Sequence, residues 1–307
     1  MKKILVATEK PFAKVAVDGI RKVVEAAGYE LVLLESYKSK AELLGAVANA
    51  DAMIVRSDIV DREVVEAAKN LKIVVRAGAG YDNLDLAACT EKGIVAMNTP
   101  GQNSNAVAEL ALGMMVFMAR GMYNGKSGSE LKGKKLGIQA YGAVGRLVAT
   151  IAKGFGMEIY AFDPFVPKEA IEKDGVHCIE KLEDLYSTCQ YVSLHIPATA
   201  ETKKSINFNL LSRMPKGAVL VNTARKEVIN EEELLKMFAE RPDFKYLSDI
   251  EPECKAEIAE KYAGRYFFTP KKMGAQTEEA NINAGIAAAN QIADFFTTGN
   301  KKFQLNK

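Results

Sequence analysis

One segment constrains the fold of this chain more than any other. Lys135-Leu-Gly-Ile-Gln139 has the pattern of a short buried strand, and it runs directly into Ala140-Tyr-Gly142-Ala143-Val144-Gly145-Arg146. A helical pattern over Ala143–Lys153 follows, then a second strand pattern, Glu158–Phe162, that ends at Asp163. Strand, glycine turn, helix and strand in this order form a βαβ unit, because parallel strands need a crossover connection. Gly142 supplies a position without a side chain, where backbone N–H groups can approach a pyrophosphate. Gly145 lets the helix pack close to the strand, and the positive end of the helix faces the phosphates. Ala140 stands where the dinucleotide fingerprint has its first glycine. Gly142, Ala143, Val144 and Gly145 are therefore candidate cofactor residues. Asp163 lies about 20 residues on, where a carboxylate accepts bonds from ribose hydroxyls. No arginine follows it, and a 2′-phosphate would be repelled, so the acid argues for NAD over NADP.

The same alternation runs through the whole chain. Ile4–Ala7, Leu31–Leu34, Ala52–Val55, Ile73–Val75 and Val95–Met97 read as strands, with helical patterns at Phe12–Ala27, Ala41–Ala48 and Glu63–Ala68. After the glycine turn come strand patterns at Tyr191–His195, Ala218–Asn222, a weak one at Tyr246–Leu247, and Tyr266–Thr269. The last helical pattern is Ala-rich, Glu278–Phe296. The rhythm predicts an α/β protein of parallel sheets covered on both faces. Asn98 to Asn105 is polar and rich in breakers, a candidate domain boundary, and Gly121 to Gly133 reads as a loop.

Composition narrows the function. With 307 residues there is room for about two domains. Lys plus Arg is 41 against 39 Asp plus Glu, with no long run of one sign, which argues against a nucleic-acid surface. Only two histidines occur, His177 and His195, so no metal site is expected. Four cysteines without a CxxC pair suggest reduced thiols in a cytoplasm. The most apolar stretch, Ala106 to Ala119, contains Glu109 and is shorter than the ~18–20 residues that span a bilayer, so it predicts a buried helix and no membrane association.

A family resemblance rests on several segments in one order: Arg76-Ala-Gly-Ala-Gly-Tyr-Asp-Asn-Leu-Asp85, Ala108-Glu109, the glycine turn, His195-Ile-Pro197, Val221-Asn-Thr-Ala-Arg225, Ser248-Asp249 and Gly274-Ala-Gln-Thr-Glu-Glu279. Over nearly its whole length the chain resembles the D-isomer-specific 2-hydroxyacid dehydrogenases, closest to short members that oxidise 3-phospho-D-glycerate and lack C-terminal regulatory domains. The resemblance implies two Rossmann-like or flavodoxin-like domains with parallel sheets. A substrate domain would comprise 1–98 and 280–307, with the NAD domain, 99–279, inserted in it and the active site in the cleft. It implies NAD contacts at His195, Ile196, Pro197, Thr223, Ala224, Arg225, Asp249, Gly274 and Ala79. It also implies a homodimer built around the Ala106 helix; the residues alone leave burial within the chain as the alternative.

For the chemistry, the resemblance makes Arg225 the group that grips the substrate carboxylate and polarises the reacting oxygen, a task suited to the planar guanidinium fork. The loop Gly78-Ala79-Gly80 would add backbone N–H groups. Asp249 would hold the nicotinamide amide, and Glu251, at a shorter spacing than usual, would orient the acid–base residue. That residue is a histidine in the family. Here the segment is Thr269-Pro-Lys-Lys-Met-Gly-Ala275, one residue longer and without histidine. Counting from Gly274 places Lys272 at the position; counting from Thr269 places Lys271 there. A free lysine has a pKa near 10.4, and lowering it to about 7–8 costs roughly 3–4 kcal/mol against the ammonium. For a phosphorylated substrate, Lys10, Arg56 and Arg76 are the candidate cations. The expected reaction is NAD-dependent oxidation of a phosphorylated D-2-hydroxy acid, 3-phospho-D-glycerate, feeding serine synthesis. A glyoxylate or hydroxypyruvate reductase is the alternative within the family. An NAD(H)-sensing binding protein of the corepressor type is the alternative outside it.

Overall fold

A computed structural model describes residues 1–306. The chain divides into two compact units, Met1–Asn103 together with the chain from Gln276, and Ser104–Ala275, so the second unit is inserted in the first. The first contains β1 (Lys3–Thr8), α1 (Lys14–Ala26), β2 (Glu30–Glu35), α2 (Lys40–Val47), β3 (Ala52–Val55), α3 (Arg62–Ala67), β4 (Ile73–Arg76), α4 (Leu86–Glu91) and β5 (Val95–Asn98). The second contains α5 (Ser104–Ala119), β6 (Lys135–Gln139), α6 (Ala143–Gly154), β7 (Glu158–Phe162), α7 (Lys168–Lys173), β8 (His177–Cys178), α8 (Leu182–Thr188), β9 (Tyr191–Leu194), α9 (Phe208–Leu211), β10 (Val219–Asn222), α10 (Glu231–Glu240), β11 (Lys245–Ser248), α11 (Lys255–Lys261) and β12 (Tyr266–Phe268). The chain then returns to the first unit through α12 (Glu278–Thr298).

Both sheets are parallel throughout. The first has the order β2-β1-β3-β4-β5, which is the flavodoxin-like winding. The second has the order β12-β11-β10-β9-β6-β7-β8. Counted from β6 it is the 3-2-1-4-5-6 Rossmann order with one more strand. Winding reverses between β1 and β3 in the first sheet and between β6 and β9 in the second. At these points the helices leave a sheet on opposite faces, which opens a crevice beyond the strand ends where ligands bind.

The side-chain period of two explains the two-sided cores. Leu5 and Ala7 enter one cluster of the first unit, and Ile4 and Val6 the other. In the second unit Leu136 and Ile138 face one cluster, and Val192 and Leu194 the other. α1 and α12 pack together over the first sheet, where the α12 glycine Gly285 meets Ile20 and Phe12. The C-terminal tail is pinned to β5: Asn306 accepts from Ala96 N at 2.8 Å and donates to Ile94 O at 2.9 Å.

The structure adds elements that the apolar pattern did not mark. The weak Tyr246–Leu247 pattern is part of a full strand, β11, between β10 and β12. Helices α4, α7, α8, α9, α10 and α11 are short or strongly polar. α5 starts at Ser104, two residues before the expected Ala106, and buries Ala108, Ala111, Leu112, Met115 and Met118 within the second unit. Among the described residues, no helix is long and apolar enough to cross a membrane.

Candidate active site

In the second unit the glycine turn does two separate jobs. A Cβ on Gly145 would lie 2.4 Å from Ala140 O, so only glycine lets α6 pack against the turn. A Cβ on Gly142 would meet nothing within 4 Å. Gly142 is the N-cap of α6, makes no side-chain cap bond, and the first turn carries no acid. The helix end is thus open and keeps its backbone N–H character. Asp163 closes the other side. Its Oδ2 accepts from Tyr141 N at 2.7 Å and its Oδ1 from Phe165 N at 2.8 Å. Each oxygen keeps a second lone pair for a hydroxyl donor. An open helix N-terminus beside an acceptor-only carboxylate fits the pyrophosphate and ribose of NAD and disfavours a 2′-phosphate. Arg146 braces the turn from behind, with its guanidinium 4.8 Å above the Tyr141 ring and 2.5 Å from Asp174.

A second centre forms where β10, β11 and β12 end. Asp249 follows β11 and is fully buried. Its Oδ2 accepts from Gly274 N at 2.8 Å, and its Oδ1 receives Lys272 Nζ at 2.6 Å. A Cβ on Gly274 would come within 2.6 Å of Asp249 Oδ2, so glycine is what lets this segment close on the carboxylate. Lys272 Nζ also donates to Ala224 O at 2.6 Å and Thr223 O at 3.0 Å, which occupies all three of its protons. Lys271 is exposed. Of the two lysines that the sequence left open, Lys272 is therefore the one turned into the protein. Burial pulls its pKa below the ordinary amine value; the charge and hydrogen bond of Asp249 oppose the shift and Arg225 adds to it.

Arg225 belongs to the same corner. Asn222 shapes it, accepting from Ala224 N at 2.9 Å and donating to Arg225 O at 3.1 Å. Arg225 Nη1 donates to Ala224 O at 3.3 Å, the carbonyl that also holds the Lys272 amine. A guanidinium and an ammonium thus converge on one oxygen. His195 borders them, with Nδ1 3.4 Å from Thr223 Oγ1 and Nε2 3.0 Å from Ser193 Oγ. Burial, aided by the Lys272 charge, pushes its pKa down to about 3, so the ring is neutral. Its backbone N–H donates to Gln139 O, tying the ends of β6 and β9 across the winding reversal. Ile196 is buried beside it and Pro197 is exposed.

Two expectations change here. Glu251 does not face the amine: it pairs with Lys255 at 2.5 Å, an i,i+4 contact leading into α11. The carboxylate partner of Lys272 is Asp249, whose two oxygens are both engaged by the protein's own groups. The short spacing after Asp249 turns Glu251 toward the following helix instead.

Two of the first unit's candidate cations follow the strands at its own winding reversal. Arg56 follows β3 and Lys10 follows β1. Arg56 Nη1 donates to Lys10 O at 3.1 Å and Pro11 O at 3.2 Å, and Nη2 donates to Asn281 Oδ1 at 2.7 Å. Arg76 ends β4 and donates from Nε to Arg56 O at 3.0 Å. The Gly78 N–H, expected to be offered to a carboxylate, is committed inward to Thr99 Oγ1 at 2.6 Å and Arg76 O at 2.9 Å. That leaves Ala79 and Gly80 as the loop's candidate donors. Gly78 itself has φ +147°, and a Cβ there would collide with Arg76 Nη1. Sequence reasoning missed the groups that hold these residues: Asn281, Asp58, Tyr37, Asn98 and Thr99. No local pattern marks them, because most of their bonds cross a long sequence separation. Among the described residues, no three His, Cys, Asp or Glu side chains cluster as metal ligands.

A parallel sheet with a dinucleotide turn, an acid that favours NAD, and an arginine–lysine pair beside a buried aspartate define a nicotinamide-dependent class of site. The family profile of the D-isomer-specific 2-hydroxyacid dehydrogenase NAD-binding domain matches residues 91–262, and the chain belongs to this family. D-3-phosphoglycerate dehydrogenase of Methanocaldococcus jannaschii is 37% identical over 83% of the chain and 51% of its own length. Hydroxypyruvate reductase of Thermotoga maritima is 36% identical over 86% of the chain and 90% of its own length. The NAD+-bound 3-phosphoglycerate dehydrogenase structure of Entamoeba histolytica is 50% identical, with a TM-score of 0.88 over 100% of this chain and 99% of that one. The chain spans about half the length of the curated phosphoglycerate dehydrogenases it matches. The cofactor of the second unit is NAD.

Proposed function

We propose that this protein is an NAD-dependent D-2-hydroxyacid dehydrogenase acting on 3-phospho-D-glycerate and 3-phosphohydroxypyruvate, with Lys272 as the proton carrier, and that it feeds serine synthesis. The convergence of Lys272 and Arg225 on the Ala224 carbonyl, with Asp249 behind the amine, carries this reading. When bound, the nicotinamide gives or takes the hydride. Arg225 grips the carboxylate and polarises the neighbouring oxygen. In the reducing direction the Lys272 ammonium exchanges one of its three bonds for the substrate carbonyl oxygen and hands over a proton. In the oxidising direction the neutral amine takes the hydroxyl proton. Asp249 stabilises the ammonium and so favours the donor state. Lys10, Arg56 and Arg76 supply positive charge for the phosphate, and Ala79 and Gly80 add N–H groups for the carboxylate. The homodimer belongs to the same proposal, and light scattering at twice the chain mass tests it.

NADH oxidation measured in parallel with 3-phosphohydroxypyruvate, hydroxypyruvate and glyoxylate tests the assignment. The expected order puts the phosphorylated acid first by at least about tenfold in kcat/KM. Preference for hydroxypyruvate would favour the second reading, which the T. maritima reductase supports through its full-length match. Tight NADH binding without turnover on any of the three would replace the enzyme by a sensor.

A further inference from the structure

The Arg56 side chain is held in an unusual manner for a cation with a buried carboxylate so near. Asp58 is almost fully buried, but its oxygens are directed elsewhere. Oδ1 accepts from Glu9 N at 2.7 Å and Tyr37 Oη at 2.8 Å, and Oδ2 accepts from the Arg56 backbone N–H at 3.3 Å. The Arg56 carbonyl receives Arg76 Nε and Asn83 Nδ2. The backbone of Arg56 is thus fixed by charged and polar groups. Its head group touches the Lys10 and Pro11 carbonyls, the Phe12 ring face at 5.1 Å, and the Asn281 amide oxygen. All four of these partners are neutral.

We propose that Asn281 is a positioning residue that fixes the Arg56 guanidinium without cancelling its charge, and so sets the preference for a phosphorylated 2-oxo acid over the phosphate-free one. The inference rests on the assignment of Arg56 to the phosphate. Asn281 is suited to the role because its own amide is locked: Nδ2 donates to Thr277 O at 2.8 Å in the first turn of α12, which turns Oδ1 toward Arg56. Thr277 is the N-cap of that helix and accepts from Ala280 N at 3.1 Å, so the amide stands on a fixed helix start. A guanidinium held in one rotamer before binding loses less freedom when a phosphate arrives. A carboxylate in the same place would hold it equally well and would compete with the phosphate for its charge.

The test is steady-state kinetics of the full chain with NADH on 3-phosphohydroxypyruvate and hydroxypyruvate, for the parent, Asn281→Ala, Asn281→Asp and Arg56→Ala. For Asn281→Ala, KM for the phosphorylated substrate should rise about 5- to 10-fold, with kcat changed less than about twofold. The ratio of kcat/KM between the two substrates should fall by the same factor. Asn281→Asp keeps an acceptor at the helix start, so it preserves the test if the alanine variant folds poorly; its ratio should fall at least as far. Equal losses on both substrates would reduce Asn281 to a support of α12 and overturn the proposal. So would a ratio that both Asn281 variants leave unchanged while Arg56→Ala collapses it. A ratio unmoved by Arg56→Ala would sink the phosphate assignment itself, and the role of Asn281 with it.

Discussion

Lys272 and Arg56 are both half-buried cations beyond the ends of parallel strands, one in each unit. Lys272 sits on a fully buried carboxylate and two carbonyls, with burial and Asp249 pulling its pKa in opposite directions. Arg56 sits on carbonyls, an amide and a ring, while the nearby carboxylate is turned to other donors. The difference follows from what each group can do. An amine can be tuned to release a proton, and an opposing carboxylate is one means of tuning it. A guanidinium does not titrate in a protein, so its value is a fixed charge in a fixed direction, and a carboxylate partner would only cancel that charge.

The largest expected effect breaks this contrast at Lys272. Lys272→Ala should lower kcat by about 10²- to 10⁴-fold, the usual contribution of a positioned acid–base group. Lys272→Arg should do little better, because the guanidinium keeps the charge and cannot release the proton. Lys271→Ala, at an exposed position, should stay within about twofold. Unchanged turnover in Lys272→Ala would remove the amine from the reaction.

A smaller effect sharpens the comparison by removing the carboxylate. Asp249 favours the ammonium, so Asp249→Asn should lower the Lys272 pKa further. Oxidation needs the neutral amine, so the rising limb of its pH–rate profile should move to lower pH. Reduction needs the ammonium, so its falling limb should move the same way. Profiles of kcat in both directions check this, and limbs that stay in place would mean that Asp249 only shapes the loop. Asn281→Asp is the mirror experiment, since it puts a carboxylate against the Arg56 head group, which Asp58 reaches through its charge and not by a hydrogen bond.

Much of this was legible in the sequence. Apolar runs of four or five residues mark buried parallel strands, and the glycine turn with Asp163 marks the winding reversal of the second unit. Other parts were not. The choice between Lys271 and Lys272 depends on whether the Thr269–Gly274 segment is counted from its start or its end, and an inserted residue makes the two counts disagree. Contacts across the fold set only which side chain turns inward: Gly274 N and Met273 N both close on Asp249, and Lys272 is the lysine carried into the protein. α10 was missed although its start carries a capping pattern. Asn230 Oδ1 accepts from Glu233 N and its Nδ2 donates to Glu233 Oε1, and Asn-x-x-Glu was readable. Its three leading glutamates hid the apolar stripe of Leu234, Met237 and Phe238.

The smallest effect compares the left-handed positions of the two units. Gly78 in the first unit has φ +147° and no room for a Cβ beside Arg76. Ala140 in the second unit has φ +77°, a region that costs a residue with a Cβ roughly 1–2 kcal/mol. Ala140→Gly removes that strain but gives the unfolded chain more freedom, worth about 0.4–1 kcal/mol. It also takes away a methyl group that packs against the core on one face of the second sheet. If strain dominates, the variant should gain about 0.5 kcal/mol and melt about 1–2 °C higher. Its affinity for NAD should hold, because the open space lies at Gly142 and not at Ala140. A lower melting temperature would show that the alanine is retained for its packing, and that the first position of this turn tolerates a left-handed residue because the core below it makes up the difference.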